Sequence, residues 1–184
     1  MPLSFVIKGM ERLHKNFSAC PAMSALKPLI DSSAIVHFAA RDLDDLELDI
    51  INEFNIKHYS MRDIDDLGMK KAVNQVLNGV CKSKSKIHVS FDIDSVDVAY
   101  APNTGTTVWG GLTVREALLM AELIAETKKL NVIEMYEVNP FLGPKQDANR
   151  TVNLAMNIIL AFLGKSREVY WAQPWMGGWG ERTH

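Results

Sequence analysis

Cysteine is scarce in this chain. Its two cysteines, Cys20 and Cys81, lie far apart and form no C-x-x-C pair, which argues against a disulfide framework and a cysteine-rich zinc site and leaves a cytoplasmic location as the expectation. Long apolar runs are missing too: none approaches the roughly 18 residues that a bilayer span needs. The start Met1-Pro-Leu-Ser-Phe5 has no signal-peptide layout, so no membrane partner is expected. Neither sign of charge dominates, and a formal net charge of -2 gives no broad basic surface for nucleic acid. The expected partner is a small molecule. Repeats, low-complexity tracts and long linkers are also absent, and Lys82, Lys84 and Lys86 read as a solvated group at a helix-to-strand junction.

What is present is enough apolar material, 47% of 184 residues, for one substantial core. Residues 34–39, 56–60, 86–92 and 131–138 are short and rich in β-branched or aromatic side chains, so they read as strands. Helical spacing runs over 45–54 and 68–80. Thr113-Val-Arg-Glu116 is a capping box opening a helix to about Lys129. A last helix is expected from about Asp147 through Phe162, with Val152, Ala155, Ile158, Ile159 and Phe162 as its apolar stripe and Gly164 as its stop. Alternating strands and helices predict an α/β fold with a mostly parallel sheet covered on both faces, a three-layer αβα arrangement. Functional loops then belong beyond the carboxyl ends of the strands.

One strand delivers acids to such an end. In Val89-Ser-Phe-Asp-Ile-Asp-Ser-Val-Asp97, strand alternation predicts Asp92 and Asp94 on one face, about 6–7 Å apart. Like charges beside a buried core are costly unless protonated, hydrogen-bonded or neutralised, and no lysine or arginine lies within the motif. A divalent cation would resolve the conflict; acids that merely cap turns are the plainer alternative. The pattern also fits the Asp-x-Asp-x-Val nucleophile motif of haloacid-dehalogenase-like phosphatases, whose later lysine and acidic pair have no counterpart here.

The segment that follows separates these readings. Ala101-Pro-Asn-Thr-Gly-Thr-Thr-Val-Trp-Gly-Gly-Leu-Thr-Val-Arg-Glu116 resembles the ureohydrolase pattern Pro-x-Thr-Gly-Thr-Pro-x-x-Gly-Gly-Leu-Thr-x-Arg-Glu. Glu134-Met-Tyr-Glu-Val-Asn-Pro140 is similar to the Glu-Val-Asn-Pro signature of arginases, where agmatinases tend to carry serine in place of Asn139. Ala39-Ala-Arg-Asp-Leu-Asp44 and His58-Tyr-Ser-Met-Arg-Asp-Ile-Asp-Asp-Leu-Gly68 resemble two further arginase segments. The resemblance runs from about Met1 to Arg167, and residues 168–184 form a Trp- and Gly-rich tail outside it.

This resemblance to arginases implies a manganese enzyme that hydrolyses L-arginine to L-ornithine and urea, acting as a cytoplasmic homo-oligomer, a trimer. It implies that Asp92 bridges two manganese ions and Asp94 chelates one, with hard oxygen ligands suited to Mn²⁺. The metals would acidify a water for attack on the guanidinium carbon. Glu137, read as sharing a strand face with Ile133 and Met135, would hold the substrate guanidinium; Thr106 would line the site and Asp44 would meet the substrate α-amino group. Arg41 and Asp42 read as a structural ion-pair cluster, His88 as a satisfied core or edge histidine, and Gly105, Gly110 and Gly111 as turn glycines. Asp65, Arg115, Glu122 and Arg167 match polar positions near family subunit contacts.

No Asp-x-His-x-Asp grouping, the family's source of further manganese ligands, occurs here. Met1-Pro-Leu-Ser-Phe5 resembles the continuation of the family's His-Gly-Met-Pro segment. The expectation is therefore the C-terminal part of a single ureohydrolase domain, without its first strands and helices and with little or no activity by itself. A non-catalytic ureohydrolase-like assembly or regulatory protein and an agmatinase-like hydrolase stand as alternatives.

Overall fold

The computed structural model describes residues 2–14, 27–80 and 86–167. Cys20, Cys81, Lys82, Lys84 and the 168–184 tail lie outside them. Among the described residues, no helix is long and apolar enough to cross a membrane. The chain forms two compact units, one of Met1–Phe38 with Leu43–His58 and one of Ala39–Asp42 with Tyr59–His184.

The first unit is built around Ile7, Met10, Ile51 and Ile56, with Ile35, Leu43, Ile50 and Phe54 packed against them. Its helix α1 (Asp45–Glu53) starts at Asp44, whose carboxylate accepts the Glu47 amide. An acid at that position satisfies an otherwise orphaned amide and faces the positive end of the helix dipole. Strand β1 (Val36–Ala40) pairs with β2 (Lys57–Ser60) as a two-stranded sheet.

In the second unit, β3 (Ile87–Asp92) pairs in parallel with β4 (Leu130–Tyr136), the register placing Phe91 opposite Met135 and Asp92 opposite Tyr136. The connection between them contains α4 (Val114–Glu126), the expected crossover in an α/β fold. Thr113 and Glu116 form the capping box read from the sequence. The helix stops three residues before the expected Lys129, because the Thr127 hydroxyl bonds back to the Ile124 carbonyl and Lys128 turns to φ 55°.

Two helices precede β3. Helix α2 (Met61–Leu67) opens with a capping box of Ser60 and Asp63 and ends at Gly68, whose φ of 77° only glycine adopts without strain. The sequence reading had no helix there. Helix α3 (Met69–Val80) follows at once and packs on α4.

Helix α5 (Lys145–Phe162) packs on α4 and β4. Its buried stripe is Ala148, Thr151, Leu154, Ala155, Ile158, Ala161 and Phe162, so the expected Val152 and Ile159 sit half-buried at its margin. Phe162 meets Phe91 edge to face at 6.0 Å between centroids, joining the helix to the strand that carries the acids. Phe162→Ala should lower the unfolding free energy by about 3–5 kcal/mol, read from urea titration followed by circular dichroism. A loss under about 1 kcal/mol would show that this contact is not part of the core.

Candidate functional site

Strand β3 ends at Asp92, and Ile93–Ser95 winds into a single 3-10 turn. Strand alternation therefore does not reach Asp94, and the expectation that period-2 spacing aligns the two acids is corrected. Their approach comes from the turn, which is pinned on either side of Asp94 by fully buried Ile93 and Val96. Burial pushes the Asp94 carboxyl above its ordinary value, and the charges of Asp92 and Glu137 raise it further against the lowering effect of Arg41. Three acids from two strand ends thus share one electrostatic neighbourhood.

Glu137 is corrected as well. It lies one residue beyond β4 with φ 62°, so it shares no strand face with Ile133 and Met135. A non-glycine residue in this region costs roughly 1 kcal/mol or more, and the turn aims its carboxylate away from the strand's alternation. A Cβ added to Gly105 would stand 3.7 Å from Glu137 Oε2, which brings the Thr106 loop to the same place. Thr106 itself is exposed.

That loop is tied at its neck. Val96 and Leu112 form a parallel bridge, with the Leu112 amide donating to the Ser95 carbonyl and the Asp97 amide to the Leu112 carbonyl, each at 2.9 Å. The Asp97 carboxylate accepts the amides of Ala99 at 2.9 Å, Gly110 at 2.7 Å and Gly111 at 3.2 Å. The Ala99 bond, joined by those of Gly110 and Gly111, holds this carboxyl below its ordinary value. Of the three glycines read as turn residues, Gly110 has positive φ, at 79°. Gly111 is needed for space, since a Cβ there would lie 2.6 Å from the Asp97 nitrogen.

The sequence reading passed over Asn103 and left Arg41 out of the site. Asn103 is buried, its amide donating to the Thr151 hydroxyl on α5 and its carbonyl accepting the Asn139 amide beyond Glu137, so it joins two loops and a helix. Its side-chain nitrogen and the buried Thr104 hydroxyl have no partner, which marks a polar lining beneath the Thr106 loop. Arg41, read as part of an ion-pair cluster, donates instead to the carbonyls of Asp94, Val108 and Ser95. These partners are too distant in sequence for any local pattern to announce.

Asp44 belongs to the first unit, where it caps α1 and is exposed. His88 is satisfied at the sheet surface by Glu134 at 2.8 Å. Arg167 and Glu122 pair with each other at 2.8 Å within the chain.

The acids have the right chemistry for a hard divalent ion, but the described residues contain no group of three or more His, Cys, Asp or Glu that could hold one. Manganese prefers about six ligands, so these residues do not by themselves fit a metal pair.

A parallel α/β unit with carboxylates gathered beyond its strand ends has the layout of an α/β enzyme that works at the carboxyl edge of its sheet. The comparisons narrow this class to one family. The model described as "Arginase family" matches residues 9–164. Human "Arginase-2, mitochondrial" is 40% identical over 169 residues, covering 91% of this chain and 47% of that protein. The arginase structure from Bacillus caldovelox superposes with a TM-score of 0.74 at 33% identity, covering 80% of this chain and 49% of the other. An Entamoeba histolytica arginase in complex with L-ornithine gives a TM-score of 0.74 at 26% identity, over 90% and 52%. The chain belongs to the arginase family, and its fold is the arginase-like α/β fold. It spans about half the length of the curated relatives it matches.

Asp97→Ala should cost about 1 kcal/mol by removing the acceptor of three amides that are largely open to water. Because the folded carboxyl titrates below the ordinary value of about 4, the unfolded chain binds more protons as the pH falls. The Asp97 contribution is therefore present above about pH 4 and lost as pH drops through the folded value. Measured from about pH 7 downward, the gap in urea midpoints between parent and variant should narrow once the pH falls below about 4; a constant gap would exclude this titration.

Proposed function

We propose that this chain carries the carboxylate part of an arginase-type active site, for manganese-dependent hydrolysis of L-arginine to L-ornithine and urea. The observation that carries the reading is the convergence of Asp92, Asp94 and Glu137 around the end of β3. Asp92 and Asp94 would supply oxygen ligands to the metal pair. Glu137, set apart from the strand by its left-handed turn, would take the substrate guanidinium, a planar fork matched to a carboxylate by two parallel hydrogen bonds. Thr106 would lie beside Glu137, and on the family resemblance alone Asp44 would receive the substrate α-amino group. The chemistry such a metal pair would supply, when bound, is acidification of a water near neutral pH.

Arginine is favoured over agmatine by Asn139 within Glu137-Val-Asn-Pro140, and the L-ornithine complex of the Entamoeba relative supports the same product. A homotrimer in the cytoplasm completes the proposal, on the family resemblance and the scarcity of cysteine. The chain by itself should have little or no activity. The shortage of metal ligands among the described residues also favours a second reading, a non-catalytic ureohydrolase-like protein that assembles with or regulates an active subunit.

Dialysis of the purified chain against Mn²⁺, followed by metal analysis and a urea assay with arginine, should find fewer than two ions per chain and no urea above background. Two ions with turnover would overturn the proposed inactivity. In a chimera supplying the other half from an arginase relative, the paired changes Asp92→Asn and Asp94→Asn should abolish manganese retention and urea release. Normal values for both would end the arginase reading. In the same chimera Glu137→Gln should reduce kcat/KM for arginine about 10- to 100-fold, the scale of a charged hydrogen bond. An unchanged value would remove Glu137 from the guanidinium site.

A further inference from the structure

Arg41 is held in a way that its own segment does not favour. Ala39 and Asp42, on either side of it, have φ values of 61° and 60°, a left-handed conformation that residues other than glycine adopt at a cost. Such strain persists only where surrounding contacts over-determine the backbone, and the bonds of the Arg41 guanidinium are among those contacts. Arg41 Nη2 donates to the Asp94 carbonyl at 2.6 Å and to the Val108 carbonyl at 2.8 Å, and Nη1 donates to the Ser95 carbonyl at 3.3 Å. Two of these acceptors lie in the turn that carries Asp94, and the third lies in the loop that carries Thr106.

We propose that Arg41 is a positioning residue whose guanidinium fork fixes the Asp94 turn against the Thr106 loop, so that both keep one register in the site. The use of that register rests on the arginase-type reading; the tie itself rests on geometry alone. Asp97 works from the opposite end of the same stretch, holding Gly110 and Gly111 while Arg41 holds Val108. Between them the loop is clasped two residues apart, once by a cation on a carbonyl and once by an anion on amides. The shape of the arginine is what matters here. Lysine has the same charge but a single, freely rotating nitrogen, which cannot fill in one rigid plane both the Nη2 position shared by the Asp94 and Val108 carbonyls and the Nη1 position on Ser95.

Arg41→Lys therefore separates fork from charge. Hydrogen exchange should be measured by mass spectrometry on the full chain, following the amides of Val96, Asp97, Gly110, Gly111 and Leu112, with α4 and α5 as internal references. Mn²⁺ affinity should be titrated in parallel by the electron paramagnetic resonance signal of the free ion. The expected result is exchange about tenfold faster at those amides, unchanged exchange in both helices, and Mn²⁺ affinity reduced about tenfold. Unchanged exchange in the turn and loop overturns the proposal. Equal acceleration throughout the chain also overturns it, since Arg41 would then serve general stability. Local acceleration with parental Mn²⁺ affinity rejects the link between the tie and the site. Where the parent chain binds no Mn²⁺, local acceleration upholds the tie, and parental Mn²⁺ affinity of Arg41→Lys in the arginase chimera then rejects the link between the tie and the site.

Discussion

Everything at the proposed site follows from gathering like charges at the end of an apolar strand. A carboxylate beside a core loses hydration, and neighbouring carboxylates oppose its ionisation further. Asp94 registers both effects, burial first and then Asp92 and Glu137. The surrounding structure meets this constraint by turning positive ends inward. Arg41 lies close enough to Asp94 to lower its carboxyl, and Asp97, third in the series of acids, is met by backbone amides. Two acids of one short motif thus have opposite environments: burial and like charges hold Asp94 above its ordinary value, and backbone amides hold Asp97 below.

Strain is distributed accordingly. Among the described residues, the non-glycine positions with positive φ include Ala39 and Asp42 beside Arg41, and Glu137 itself. A segment free to relax would abandon these conformations, so their presence together implies rigid support from below. That support is visible in Ile93 and Val96 under the turn, in Asn103 joining the Thr106 and Glu137 loops to α5, and in the Phe91–Phe162 contact behind β3. The core thereby acts as the jig for the loops.

How much of this could be read from the residues alone depended on the range of the signal. The capping box of Thr113 and Glu116 acts across three residues and was legible, as were the strands and the long helices. Ser60 and Asp63 make an equally local box, yet α2 is only Met61–Leu67, and a brief helix ending directly in Gly68 carries too little periodicity to be seen. The composition of the acid cluster was evident, but its geometry was not, because alternation ceases at Asp92 and φ 62° at Glu137 leaves no mark in the pattern. Arg41 was least accessible of all: its acceptors lie 53 to 67 positions away, and a guanidinium bound to main-chain carbonyls has no partner residue type to search for.

The neck formed by Val96 and Leu112 has a wider consequence. Main-chain bonds close it, and Asn103, Val108, Gly110 and Gly111 are tied within it, which leaves the short stretch between Asn103 and Val108 as the part whose length is nearly uncoupled from the strands. Doubling such a stretch costs only about 0.6 kcal/mol in chain entropy. Lineages built on this scaffold could therefore vary that stretch while leaving the acidic turn beneath it undisturbed, so that rim and acids become separately adjustable.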